Sequence, residues 1–264
     1  MDFCSISSGS SGNCIYVGAA GTHVIVDAGI SGKRIEDGLN SLGLKTEELD
    51  GILITHEHSD HIAAVGVIAR KYGIPMYATK GTIEGIYEAR GLGEIPAGLF
   101  TVIEADKQFM VNDLKVDPIR ISHDAKEPVA YRIWHDSSSV GVCTDLGCFD
   151  GYTVDGFKGV SALLLEANHD VNMLQVGKYP YYLKRRILGD KGHLSNEGSG
   201  RLLCELLHDD LKRVLLGHLS RENNLAELAY ETVRLEILMN SSYKPDDFRI
   251  DIASRDSRSE LIAV

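Results

Sequence analysis

The chain has 264 residues, of which 44% are hydrophobic and 25% charged. That length and balance support one α/β domain with a sizeable core, and they exclude a disordered chain, a collagenous repeat or a small disulfide scaffold. Lys and Arg number 27 against 38 Asp and Glu, a net charge of −11 that argues against a broad basic face but leaves room for a local one.

In chain order, Ser5 to Asn13 is a Ser/Gly-rich loop opening into a strand. The β-rich runs 13–18 and 22–27 flank Ala19-Ala20-Gly21, which reads as a hairpin. Ser31 reads as the N-cap of a helix with Ile35, Leu39 and Leu42 on one face and Gly43 at its stop. Residues 51–55 form a short apolar strand that feeds a polar loop at 56–60. A helix is expected over 61–72 and a strand over 75–78. Strands are expected at 114–122, 129–135, 139–144, 162–167, 212–217 and 248–252, and helices at 181–188, 195–208 and 225–239. Two groups of strands, each punctuated by helices, predict two packed sheets with helices outside, in one domain over 1–264. No apolar stretch reaches the roughly 18 residues of a membrane span. Met1-Asp2-Phe3-Cys4-Ser5 lacks the basic and apolar regions of a secretory leader. Cys4, Cys14, Cys143, Cys148 and Cys204 have no framework spacing, so reduced thiols in a cytoplasm are expected.

Thr55-His56-Glu57-His58-Ser59-Asp60-His61 places three imidazoles and a carboxylate within six positions, directly after an apolar strand. Such donors suit zinc, manganese or iron, and a strand-end loop can aim alternate side chains at two adjacent ions. The loop is expected to bind metal. Four further residues stand where an apolar run gives way to a loop: Asp27 in Val-Ile-Val-Asp-Ala-Gly, His123 in Ile-Ser-His-Asp-Ala, Asp145 in Val-Cys-Thr-Asp-Leu-Gly and His218 in Leu-Leu-Gly-His-Leu-Ser.

The His-rich run resembles the HxHxDH signature of the metallo-β-lactamase superfamily, and the four later residues follow that family's order. The resemblance implies a four-layer αββα sandwich of two mixed sheets flanked by helices. It also implies two divalent ions: His56, His58 and His123 on the first, Asp60, His61 and His218 on the second, Asp145 bridging, and Asp27 orienting the His loop. Two such ions can share a water and lower its pKa toward neutral. The bridging hydroxide would be the nucleophile, with Asp60 as its proton acceptor. His193, in Gly-His-Leu-Ser-Asn, matches by position the residue that protonates the leaving oxygen in the phosphodiesterase branch, which includes tRNase Z.

The opening Ser5-Ile6-Ser7-Ser8-Gly9-Ser10-Ser11-Gly12-Asn13, together with His123-Asp124-Ala125-Lys126-Glu127-Pro128, Glu166-Ala167-Asn168-His169-Asp170 and His218-Leu219-Ser220-Arg221-Glu222-Asn223-Asn224, resembles the YycJ/WalJ family end to end. That implies a cytoplasmic double-metal phosphodiesterase acting as a DNA exonuclease, without the β-CASP insertion of longer nuclease relatives. Ser10 and Asn13 offer groups that could cradle an anion. Lys184, Arg185, Arg186 and Arg221 are expected to meet phosphates at the mouth of the site. His169 could touch metal, phosphate or only its loop. His23, His135 and His208 are assigned to structure or solvent. Two alternatives are a hydrolase of carboxylic substrates, such as a lactone, thioester or β-lactam, and a non-hydrolytic metal-binding sensor. The oligomeric state stays open, a homo-oligomer included.

Overall fold

The apolar runs become strands that are buried on both faces, as strands sandwiched between two layers must be. The computed structural model describes residues 1–264. Its first half contains β1 (Asp2–Ser7), β2 (Cys14–Ala19), β3 (Thr22–Val26), α1 (Gly32–Asn40), β4 (Gly51–Leu53), α2 (Ser59–Ile62), α3 (Val65–Tyr72), β5 (Met76–Thr79), α4 (Lys80–Glu88) and β6 (Phe100–Ile103). The second half contains β7 (Phe109–Val111), β8 (Leu114–Arg120), β9 (Val129–His135), β10 (Ser138–Cys143), α5 (Gly151–Phe157), β11 (Ala162–Glu166), α6 (Val171–Val176), α7 (Tyr181–Leu188), α8 (Asn196–Leu206), β12 (Arg213–Gly217), α9 (Ala226–Asn240), β13 (Arg249–Ile252) and β14 (Ile262–Ala263).

The strands form two seven-stranded sheets, ordered β14-β1-β2-β3-β4-β5-β6 and β13-β12-β11-β10-β9-β8-β7. Each sheet begins with antiparallel pairs and continues as a parallel run, β3 to β6 in one and β10 to β13 in the other. Side chains such as Val17, Val26, Leu53, Tyr131, Val142 and Leu164 fill the space between the sheets. Outside the first sheet, Ile35 and Leu39 of α1 and Ile68 of α3 pack against Ile25, Ile52 and Ile54. Outside the second, Leu202 and Leu203 of α8 and Val233 of α9 pack against Leu163, Leu165 and Val214. Three apolar layers thus separate four layers of structure, and the expected αββα sandwich is the fold.

Most expected elements lie within a residue or two of their observed bounds, and the differences have physical causes. The helix expected over 61–72 is two helices, α2 and α3. Its backbone is diverted at the break: Asp60 O accepts from Asn13 N, and Ala64 N donates to Ala28 O instead of to Asp60. Ser5 to Ser7, expected as loop, belongs to β1, because β2 supplies antiparallel partners across a bulge. Leu42 lies beyond the end of α1. The elements α4, α5, α6, β6, β7 and β14 have no counterpart in the expectations.

Tyr131, fully buried in the second sheet, donates its hydroxyl to Ile54 O of the first at 2.8 Å. Ile54 immediately precedes the His-rich loop. Tyr131→Phe leaves that carbonyl without its donor and should destabilise the fold by about 1–3 kcal/mol. Urea unfolding checks this, and a variant as stable as the wild type would remove the hydroxyl from the inter-sheet contact.

Candidate metal centre

Parallel strands send their loops out at one edge, and this edge carries the chemistry. Asp27 follows β3, the His-rich loop follows β4, His123 follows β8, Asp145 follows β10, Glu166 ends β11 and His218 follows β12. Asp27, Asp145 and His218 have φ of 63°, 59° and 56°. Non-glycine residues seldom sit in this left-handed region, and such strain gathers at functional sites.

Four of the converging rings have one nitrogen held from behind. His61 Nδ1 is 2.7 Å from Asp27 Oδ2, His123 Nδ1 3.1 Å from Gly192 O, His218 Nδ1 2.8 Å from Glu166 Oε1, and His56 Nδ1 3.0 Å from Thr55 Oγ1. The other nitrogens face inward. His61 Nε2 lies 3.2 Å from Asp145 Oδ2 and 3.4 Å from Asp60 Oδ2, and His218 Nε2 lies 3.4 Å from the same Asp60 oxygen. His58 enters by Nδ1, 3.2 Å from His123 Nε2. Donor atoms of His56, His58 and His123 lie within 4.8 Å of one another, as do those of Asp60, His61 and His218. His56 Nε2 is buried yet has no hydrogen-bond partner. Buried polar atoms are rarely left so, and an imidazole lone pair facing a carboxylate oxygen and further imidazoles is a donor set for a divalent cation. The clusters suit metal ions.

Two members of the arrangement were not singled out from the sequence. Thr55 lies beneath the loop, its Oγ1 near Asp27, His56 and His61. Glu166 is fully buried; its Oε1 is 2.8 Å from Nδ1 of both His193 and His218, and its Oε2 accepts from Leu146 N and Leu194 N. A carboxylate closing the apolar run Ala-Leu-Leu-Leu-Glu was the available signal, since buried Glu is rare unless paired.

The charges are strongly coupled. Burial alone would raise the carboxyl groups, but His218 and His61 hold Asp145 well below the usual range, and His61 and His218 do the same to Asp60. Glu166 is held at about 2 by His193 and His218 against its burial. Burial pulls His218 down, yet Asp145, Asp60 and Glu166 outweigh it and lift the ring to about 10. His61 is likewise raised, by Asp145, Asp27 and Asp60 against burial. Burial lowers His56, with His61 adding to the effect, and burial also lowers His123.

A cavity of about 210 Å³ opens onto this cluster, lined by His58, Asp60, Asp145, His193 and His218 with Ser10, Tyr179 and Arg186 among its walls. Of the four expected phosphate-facing cations, Arg186 alone lines it, forked onto Asp124. Lys184 Nζ instead donates to Gln175 O and Gly177 O, and Arg185 lies over the Tyr181 ring. Arg221 is exposed beside the lining residue Ser220. Asn13 is turned inward and is 1% exposed; it accepts from Gly9 N and approaches His61 Nε2, so it braces the loop. His169 is buried outside the ligand clusters. His23 meets Tyr16, His208 meets Val160 O, and His135 faces Asp113, all away from the centre.

Residues 22–219 match the family model described as a beta-lactamase superfamily domain. Over 259 residues the chain is 39% identical to exodeoxyribonuclease WalJ of Streptococcus pneumoniae, which covers 98% of this chain and 96% of that protein. It is 38% identical over 233 residues to exodeoxyribonuclease YycJ of Bacillus anthracis, covering 88% of each. Among solved structures, Zn(2+)-bound PqqB from Methylobacterium extorquens matches over 100% of both chains with a TM-score of 0.73 at 15% identity, a likeness of fold.

The carboxylates around His61 and His218 favour the protonated rings, and an ion binding at their inner nitrogens must displace those protons. Metal binding should therefore release about one to two protons per chain at pH 7, and affinity should rise with pH by about tenfold per unit for each proton displaced. Calorimetry in buffers of different ionisation enthalpy measures this; binding without proton release would exclude these two rings as ligands. Asp145 oxygens lie 3.2 to 3.8 Å from nitrogens of His61, His123, His193 and His218. Asp145→Ala should accordingly lose more bound metal, by elemental analysis, than any single His substitution.

Proposed function

Because the chain belongs to the metallo-β-lactamase superfamily, within the WalJ/YycJ family, we propose that it is a metal-dependent exodeoxyribonuclease that hydrolyses phosphodiester bonds in DNA. The observation that carries the reading is His193. Its ring lines the same cavity as Asp60, Asp145 and His218, and its Nδ1 is held by Glu166. Burial disfavours the charged ring, but Glu166 overrides that and holds its pKa above the ordinary imidazole value. With Nδ1 donating to Glu166, the transferable proton sits on Nε2, where it can pass to a departing alkoxide.

His56, His58 and His123 would hold one divalent ion and Asp60, His61 and His218 a second, with Asp145 between them; zinc, manganese and iron all fit these donors. Bound ions supply Lewis-acid polarisation of a phosphoryl oxygen and an acidified water. Asp60, kept ionised by its imidazole neighbours, is placed to accept a proton from an attacking water. Asp27 and Thr55 fix the His loop, and Glu166 fixes His193 and His218. Arg186 supplies a cation at the mouth despite the net charge of −11. The family match and five cysteines without a disulfide support a cytoplasmic setting. No helix is long and apolar enough to cross a membrane.

The test follows from the chemistry of the leaving group. An alkoxide leaves slowly without a proton, whereas a nitrophenolate needs little help. His193→Ala should retain its metal and lose about 10²–10⁴-fold in rate on a DNA oligonucleotide, with a much smaller loss on bis(p-nitrophenyl) phosphate. Equal losses on the two substrates would make His193 a positioning residue, and metal loss would make it a ligand. Wild-type protein that hydrolyses a lactone but neither phosphodiester would replace the nuclease reading with a carboxylic-ester one.

A further inference from the structure

A second cavity, of about 260 Å³, adjoins His193. His193 lines both cavities. The walls of the second also include Phe149, Leu188, His169, Ser195 and Arg201. Its volume falls just under the roughly 300–1,000 Å³ of small-ligand pockets, a fit for one nucleotide unit and not for a duplex.

His169 gives this cavity a chemical identity. The residue is 1% exposed and its Nε2 has no hydrogen-bond partner. Asn168 Nδ2 donates to His218 O at 2.9 Å, which turns Asn168 Oδ1 toward His169 Nδ1 at 3.3 Å. That oxygen can only accept, so the ring proton is assigned to Nδ1. Nε2 then presents a lone pair. Burial pushes the ring down to about 4, so it is neutral near pH 7 and offers no second proton. The missing partner is therefore an N–H or O–H donor, not an anion. Phe149, half-buried and packed against the core of the second sheet's outer face, supplies an aromatic ring to the lining. Leu188, 44% exposed at the end of α7, supplies an apolar rim, and the exposed Arg201 supplies a cation beside it.

We propose that this cavity is a nucleobase subsite, which receives the base of the nucleotide on the leaving side of the scissile bond. The base stacks on Phe149, with His169 and its unpartnered Nε2 in the wall beside it, while Arg201 meets a neighbouring phosphate. This placement rests on the nuclease reading, because the group that accepts a proton from His193 is the one that must lie next to that ring. Both faces of a base are free for such a stacking ring only when the base is unstacked, so the subsite favours frayed or single-stranded ends.

The experiment compares binding of deoxyadenosine 5′-monophosphate with that of 2-deoxyribose 5-phosphate, by calorimetry on the manganese-loaded full chain. The two ligands differ only in the base. Wild-type protein should bind the nucleotide at least about tenfold more tightly, the scale of one stacked base. The preference should fall below about threefold in Leu188→Trp, which blocks the mouth from an exposed position, and in Phe149→Ala, which removes the stacking face. A wild type that binds both ligands equally, or a preference that persists in both variants, overturns the subsite. Cleavage of a single-stranded oligonucleotide tests the nuclease reading separately. Protein that prefers the nucleotide but cuts no DNA keeps the subsite and loses the nuclease; protein that cuts DNA with no such preference loses the subsite alone.

Discussion

The hydrogen bond between Asp27 Oδ2 and His61 Nδ1, 2.7 Å long with both side chains buried, links the end of β3 to the His-rich loop after β4. Asp27 Oδ1 also accepts from Thr55 N, and the backbone around it is locked: Asp27 N donates to Leu53 O, Ala28 N to His61 O and Gly29 N to Asn13 O. A side chain at Gly29 would collide with Asp60 O, since a Cβ there would lie 1.7 Å from it. Glycine is required by this close approach. The segment from Asp27 to Gly29 thus sets the position of Asp60 and His61. The strained φ of Asp27 is tolerated because several hydrogen bonds over-determine it.

Glu166 plays the corresponding part in the other half of the molecule. Both carboxylates stand at the end of a parallel strand, both lie behind imidazoles, and both are buried with hydrogen bonds from backbone N–H groups. Removing one partner of such a pair would leave a buried charge uncompensated, which is far costlier than the pair itself is stabilising. The centre also gathers Asp60 and Asp145, so it is built to hold positive charge. Its carboxylates favour protons on His61 and His218, and the proposed divalent cations would take the place of those protons.

The clustering of the His-rich loop was legible because chemistry and spacing coincide there: three imidazoles stand in one strand-end loop, and the fold gathers them with His123, Asp145 and His218. The sandwich was legible because residues buried on two faces must be continuously apolar, as in Ile52-Leu53-Ile54 or Leu163-Leu164-Leu165. The break between α2 and α3 was not, because it depends on which distant carbonyl Ala64 N can reach. Asn13 and Lys184 were legible as polar groups near the site but not in their direction. One braces the loop from inside, and the other caps carbonyls at the end of α6. Glu166 was visible as a letter and invisible as a partner, because its role exists only once β11 and β12 lie side by side.

That adjacency has a consequence for the chemistry. One oxygen, Glu166 Oε1, lies 2.8 Å from Nδ1 of both His193 and His218, and the two rings are 5.3 Å apart between centroids. Two cationic imidazoles sharing one carboxylate repel each other, so the charge on His218 lowers the proton affinity of His193. The same carboxylate that aims His218 toward Asp60 and Asp145 therefore also sets how readily His193 keeps its proton. Glu166 thus ties His218, whose Nε2 faces Asp60, to His193 through one oxygen. Its replacement by a neutral amide of the same shape would disturb both at once, whereas substitution of either imidazole alone disturbs the other only through the change in shared charge.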